Sequence, residues 1–237
     1  MNHEDSIGRP DIWEMTAIPG GIIEWVDSQA VASIWESFPL IRRNSAKHPQ
    51  ELPLLTDPIR IHPLHRSITL AHKPLSYEYQ NQIMSFHSAY TPLLQFLQAD
   101  AFHYEEIGNT RTTLFFANDT NELVGFCSTK CSSLKIKGEK IISLCPSVEV
   151  AVLCIDDNYR YLGIGQAILN HTIQQVYTIQ KIVGVQFITL FALPEAVAFY
   201  QKFDFCKLDK GMKVFYTSAH KYCIPMYFAL PQNSVKQ

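Results

Sequence analysis

The sequence predicts an α/β domain, a mixed central sheet flanked by helices, with an N-terminal extension ahead of it. Three observations predict it. From Tyr79 onward, β-rich runs alternate with segments of helical spacing. A glycine-containing stretch, "NYRYLGIGQAIL" (158–169), lies between one such run and one such helix. The first 75 residues differ in character: Trp13, Trp25 and Trp35 are the only tryptophans, and Pro49, Pro53, Pro58, Pro63 and Pro74 punctuate the segment 49–74.

In chain order, Ser28–Phe38 has a short amphipathic helical pattern carried by Val31, Ala32, Ile34, Trp35 and Phe38. The proline-punctuated segment reads as irregular, polyproline-like chain or a strand interrupted by prolines. A boundary is placed near residue 75, giving an extension (1–75) packed through its tryptophans on a main domain (76–237). Tyr79–Phe86 fits a strand. Thr91–Glu106 has helical spacing at Leu94, Leu97 and Ala101, with Thr91 as cap and Pro92 in the first turn. Thr112–Ala117 and Leu123–Cys131 are strands joined by the turn "NDTN" (118–121). Ser147–Ile155 is a strand, and Gly163–Gln180 is a helix with Ile164, Ile168, Ile173, Val176 and Ile179 on one face. Val185–Phe191 is a buried strand, and Pro194–Lys202 is a short helix with proline at its start. Phe205–Tyr216 and Tyr222–Leu230 close the sheet.

Composition narrows the function. Apolar residues are 47% and charged residues 18%, with a net charge of −2, so the chain is globular and has no global basic field for nucleic acid or anionic lipid. The acidic start lacks the pattern of a secretory signal, and the apolar run Ile182–Leu193 is too short to span a bilayer; a cytoplasmic protein is expected. Cys127, Cys131, Cys145, Cys154, Cys206 and Cys223 are read as free thiols. Cys127 and Cys131 have no second ligand pair at zinc spacing, and His62, His65 and His72 read as loop histidines, so no metal site is expected.

The strand–glycine–helix order gives the stretch at 158–169 its meaning. Free N–H groups and the positive dipole end at a helix start bind anionic oxygens, and glycine lets backbone approach them. The spacing is not that of a P-loop, because no Gly-Lys-Ser/Thr follows. It is not a dinucleotide fingerprint either, because the third glycine position is Ile168.

Arg160-x-x-Gly163-x-Gly165 resembles motif A of the GNAT (GCN5-related N-acetyltransferase) superfamily. The resemblance continues through "VEVAVLCIDDNYRYLGIGQAIL" (148–169) and "GVQFITLFALPEAVAFYQKFDF" (184–205). "FLQADAF" followed by "TTLFFANDTNELVGF" resembles the preceding helix and hairpin. It implies a GNAT fold, with acetyl-CoA as cosubstrate. The backbone of Arg160, Tyr161, Leu162, Gly163, Ile164 and Gly165 would hold the pyrophosphate, and the splayed end of the strand at Leu153, Cys154 and Ile155 would pair with the pantetheine arm. Two positions depart from the family pattern. Tyr161 and Leu162 replace the glycine and basic residue common there, and Asp204 replaces the glycine of "Gly-Phe".

The resemblance also implies two catalytic candidates. Tyr200, in "AVAFYQK", occupies the place of a tyrosine that protonates the leaving thiolate; the other reading is a core aromatic, although Phe199 is expected to be the core member of the pair. Glu149 is the sole carboxylate within an apolar strand, and alternation puts it on one face with Ala151, Leu153 and Ile155. It matches the general base of histone-acetylating members; the other readings are a strand-end carboxylate in solvent or in a salt bridge, and deprotonation through water with no single residue as base. The amides of Leu153 and Ile155 are candidates to polarise the thioester carbonyl. Asp156 and Asp157 read as solvated loop acids.

The acceptor expected is a primary amine of a small molecule or a peptide or protein. A second reading follows from the resemblance of 93–102 and 184–203 to bacterial toxin-type members that acetylate aminoacyl-tRNA. Clustered lysines (Lys130, Lys135, Lys137, Lys140, and Lys202, Lys207, Lys210, Lys213, Lys221) are read as solvated faces rather than a tRNA footprint. A third reading is a non-catalytic acyl-CoA-binding scaffold. No membrane partner is expected, and a homodimer is compatible with the resemblance.

Overall fold

The computed structural model describes residues 59–61, 68–138, 142–217 and 220–231. The tryptophans, the helix expected over Ser28–Phe38, and His62 and His65 lie outside them. Strands β1 (Ile59–Ile61) and β2 (Ile68–Pro74) open the described chain. A turn at Tyr77–Tyr79 leads to α1 (Gln80–Met84). Then α2 (Thr91–Gln95) passes through a π turn (Phe96–Asp100) into α3 (Ala101–Glu106). Strands β3 (Arg111–Ala117), β4 (Leu123–Lys137) and β5 (Ile142–Ile155) form a meander. Helix α4 (Ile164–Gln180), strand β6 (Phe187–Ala192) and helix α5 (Val197–Gln201) come next. The chain closes with β7 (Cys206–Lys207), β8 (Met212–Val214) and β9 (Ile224–Ala229).

The described strands form one sheet in the order β1-β2-β3-β4-β5-β6-β9-β7, with β8 added to the far part of β4. Among the described strands only β5 and β6 run parallel, joined by α4 as crossover. The sheet begins before the boundary expected near residue 75, because β2 pairs with β3 from Leu70–Ala117 to Pro74–Thr113. Helices cover both faces. On one, α4 and α5 bury Ile164, Ile168, Ile173, Val197 and Tyr200 against Phe115, Val148, Val150 and Ile188. On the other, α1 and the π turn bury Ile83, Phe86 and Leu97 against Leu114, Phe116 and Phe126. Each such side chain contributes about 1.5–3 kcal/mol of burial.

Several elements differ from the sequence reading. Within the expected strand Tyr79–Phe86, residues Gln80–Met84 form a helix that buries Ile83, and Phe86 lies just past its end, packed edge-on against Phe126. Thr91 is the first residue of α2, and its N-cap is Tyr90, without a side-chain capping bond. Ile179 leaves the buried face of α4 for solvent, while Leu169, His171 and Thr172 join it. Phe205–Tyr216 is two short strands. Gly211, at φ 96°, turns the chain so that β7 pairs with β9 and β8 with β4, and a Cβ there would lie 3.1 Å from the Lys137 carbonyl oxygen. Asp204 has φ 63°, so the turn does sit where glycine would be unstrained.

Candidate functional site

The parallel pair is a fork. β5 and β6 share four rungs, from Ser147–Phe187 to Val150–Leu190. Among the described residues no strand partner faces β5 from that side beyond Val150, while β6 stays paired with β9 through Ala192–Ile224. The Asp156 N–H donates to the Val124 carbonyl, toward β4. Backbone groups alternate along a strand, so the N–H and C=O of Leu153 and Ile155 point the other way, into the fork. Cys154 turns its backbone toward β4, and its buried thiol lies 3.4 Å from the Ser88 hydroxyl.

The tip of β5 leads directly to the glycine stretch. Asp156 caps a short turn (Asp157–Tyr159) by accepting from the Asn158 N–H at 2.9 Å. Arg160 is extended, Tyr161 is left-handed at φ 66°, and Gly163, the N-cap of α4, is left-handed at φ 83°. Tyr161 is 96% exposed, and its ring meets the Arg160 guanidinium at 5.7 Å, so little packing offsets that strained backbone, which costs about 1–2 kcal/mol. No side chain caps α4, so its first N–H groups keep no capping acceptor. A Cβ on Gly165 would meet Ile155 at 3.6 Å and Phe199 at 3.7 Å, so the helix start packs closely on the fork.

The two catalytic candidates lie on opposite faces of β5. Ser128 pairs with Val152 but Thr129 pairs with Val150, so Ala151 is an extra residue, a β-bulge. The bulge reverses side-chain parity. Glu149 therefore shares a face with Val152 and Cys154, not with Leu153 and Ile155 as simple alternation predicts. Glu149 is 3% exposed, and both of its oxygens are engaged: Oε1 by Lys130 Nζ at 3.1 Å, Oε2 by the Ser132 hydroxyl at 3.1 Å. It stands in the third rung, opposite Thr189, just before the fork opens.

Tyr200 is on the α4–α5 face and is 9% exposed, more buried than Phe199, which reverses the expectation for that pair. α5 begins at Val197, so Val197 and Tyr200, three apart, take the inward stripe. Tyr200 packs edge-on against Phe199 and Phe205. Burial, with the Cys127 and Cys154 thiols nearby, pushes its phenol well up, so it is protonated at neutral pH. Burial likewise pushes Cys127 up to about 11, which removes it as a thiolate nucleophile. All six cysteines are free. Among the described residues no group of three or more His, Cys, Asp or Glu could hold a metal ion.

Sequence reasoning missed the surroundings of the fork. Asp156, expected to be a solvated acid, is 4% exposed and accepts from the His87 N–H at 2.8 Å, and Asp157 accepts from the Ala89 N–H at 2.6 Å. These carboxylates pin the loop between α1 and α2 to the tip of β5. Tyr90, at the end of that loop, donates to Glu195 at 2.7 Å. On the Glu149 face, His220 stacks on Phe191 with 3.8 Å between centroids, and Tyr216 meets the same ring edge-on. No local sequence signal marks these contacts, because they join segments far apart in the chain. A separate cleft of about 540 Å³, bounded by Gln82, His87, Glu122, Asp156 and Tyr159, lies beside the β3–β4 turn and not in the fork.

A forked parallel pair whose strand runs into an uncapped, glycine-opened helix is the arrangement that an anionic ligand with an amide-bearing arm would fit. The acetyltransferase (GNAT) domain profile matches residues 77–221, and the chain belongs to that family. Acetyl transfer with acetyl-CoA as cosubstrate is the family's chemistry. Solved structures share the fold. A bacterial toxin superposes with a TM-score of 0.56 at 20% identity, covering 68% of this chain and 90% of its own. AtaTR bound with acetyl-CoA gives 0.52 at 20% identity, covering 68% and 92%. AtaT complexed with acetyl-methionyl-tRNAfMet gives 0.54 at 19% identity, covering 64% and 97%. A search of curated proteins finds no match. The site fits acetyl-CoA: the uncapped amides and left-handed Gly163 suit a pyrophosphate, and the free edge of β5 suits an amide-bearing arm. Among the described residues no helix is long and apolar enough to cross a membrane.

Proposed function

We propose that this chain is an acetyl-CoA-dependent N-acetyltransferase acting on a primary amine of a small molecule or a peptide or protein. The observation that carries the reading is the fork, with its outward-pointing Leu153 and Ile155 amides, running straight into the uncapped start of α4. Acetyl-CoA supplies an activated thioester. The backbone N–H groups of Arg160 to Gly165 hold its pyrophosphate, and the Leu153 and Ile155 edge aligns its arm. The same edge offers N–H donors to an oxygen gaining charge. Tyr200, protonated and without a hydrogen-bond partner for its hydroxyl among the described residues, gives a proton to the leaving sulfur. Glu149 opens on the other face, where the acceptor approaches. With both oxygens engaged, it receives the amine's proton through water rather than by direct contact.

A second reading, acetylation of aminoacyl-tRNA, is supported by the fold shared with AtaT and by exposed aromatics beside the acceptor face, Phe215, Tyr216 and Tyr222. The neutral charge of the chain counts against it.

Calorimetry with acetyl-CoA, beside Gly163→Glu, tests the fork and cradle; binding that the variant loses is the expected result. An acceptor screen with small amines, peptides and aminoacyl-tRNA comes second, with CoA release as readout. Tyr200→Phe is expected to lower the rate about 10²–10⁴-fold while leaving acetyl-CoA affinity and thermal stability near those of the unmodified protein. Binding without turnover of any acceptor would support a non-catalytic scaffold; no binding at all would sink the proposal.

A further inference from the structure

Among the described residues, no strand hydrogen bond ties the two sides of the fork beyond the last shared rung. The loop between α1 and α2 does so instead. On the β5 side it is anchored by three hydrogen bonds: His87 N–H to Asp156 at 2.8 Å, Ala89 N–H to Asp157 at 2.6 Å, and Asp157 N–H to the His87 carbonyl at 3.0 Å. Asp156 is buried, so this anchor is firm. Tyr90 then reaches the β6 side, where its hydroxyl donates to Glu195 in the turn after β6. Its ring lies under the Arg160 guanidinium, 5.6 Å from centroid to carbon, and Arg160 is held in turn by Asp157 at 3.4 Å. One tyrosine therefore contacts the motif arginine on one side of the fork and a carboxylate on the other.

We propose that Tyr90 is a positioning residue of the cofactor site: its ring holds Arg160 at the cradle, and its bond to Glu195 straps the open end of the fork, setting how fast acetyl-CoA enters and leaves. The inference rests on the reading of the fork as the acetyl-CoA site. The strap is built to open. Tyr90 and Glu195 are near the surface, so their bond exchanges with water at little cost, whereas the anchor behind it does not. The Glu195 carboxylate raises the Tyr90 phenol's pKa, as a donated hydrogen bond to a carboxylate requires.

Stopped-flow binding of acetyl-CoA to the full chain separates the two roles. Tyr90→Phe keeps the ring over Arg160 and loses the hydroxyl, and with it the strap to Glu195 and the hydroxyl's own interaction with Arg160. Association and dissociation should then rise together, about five- to tenfold, with Kd changed less than about twofold. Glu195→Gln keeps an acceptor oxygen and should give rates between those of Tyr90→Phe and the unmodified protein. Tyr90→Ala also frees Arg160 and should weaken Kd several-fold, a loss that Tyr90→Phe does not show. Unchanged rates in Tyr90→Phe overturn the strap while the fork reading stands. An equal loss of Kd in Tyr90→Phe and Tyr90→Ala also overturns it. If the unmodified protein does not bind acetyl-CoA, the fork reading fails and the strap falls with it.

Discussion

His171 makes the stability of this domain fall in mild acid. It lies in the middle of α4, 5% exposed, with Nε2 lacking a hydrogen-bond partner among the described residues. Its ring faces His72 of β2 at 4.3 Å and meets the edge of Phe115 of β3 at 5.5 Å. Burial, reinforced by the charge of His72, lowers its pKa from 6.5 to about 4. The folded value is below the unfolded one, so between about 6.5 and 4 the unfolded chain binds the proton and the native state refuses it. Stability is therefore full above the upper value and is lost as pH falls toward the lower. At about 1.4 kcal/mol per pH unit, this interval gives a loss of about 3 kcal/mol. Urea unfolding followed by far-UV circular dichroism at pH 7.5, 6.0, 5.0 and 4.5 measures it. With a slope of about 2 kcal/mol per molar, the midpoint drops by about 1.5 M across the window. Carboxylates titrate near the same range, so the decisive quantity is the difference from His171→Leu, whose curve should be flatter by about 3 kcal/mol. Equal pH dependence in the two proteins would refute the reasoning. Because α4 carries the cradle at its start, acetyl-CoA affinity should fall over the same pH window.

Other perturbations act on particular contacts. Gly125→Ala places a Cβ 2.6 Å from Ile168 Cδ1 and 3.0 Å from Ile155 Cδ1. It should cost about 1–3 kcal/mol by chemical denaturation and weaken acetyl-CoA binding through the displaced Ile155. Lys130→Met leaves the buried Glu149 carboxylate without its cation and should destabilise by about 2–3 kcal/mol, less than a fully buried pair because Lys130 is partly in solvent. Lys130→Met with Glu149→Gln should recover most of that loss, and a double-mutant cycle on thermal melts reads the coupling. Asp156→Ala removes the acceptor of two backbone N–H groups, at Asn158 and His87. It should cost about 1–3 kcal/mol and speed amide hydrogen exchange at His87.

Much of the fold was legible in the chain. The hairpin, the crossover helix and its flanking strands have strong local periodicity, and Gly163 marks the left-handed N-cap of α4, although the left-handed Tyr161 two residues earlier carries no such signal. The strand–turn–helix order around Arg160 to Gly165 could be read for the same reason: contiguous residues build it, and the proposed cradle is a matter of backbone. The helix at Gln80–Met84 was not legible, because a five-residue segment with Ile83 as its one buried side chain shows neither period by itself.

The sequence by itself determined the family, the order of the elements, and the place of the glycines and the candidate tyrosine. Tertiary structure alone decided which face Glu149 occupies, its pairing with Lys130, the burial of Tyr200 and Asp156, and the Tyr90–Glu195 tie across the fork. The reason is physical. A helix start or an alternating strand is specified by neighbours a few residues away. The bulge at Ala151 exists only where β4 and β5 register against each other, and Tyr90 meets Glu195 across 105 residues of chain only once the sheet has brought the two sides of the fork together.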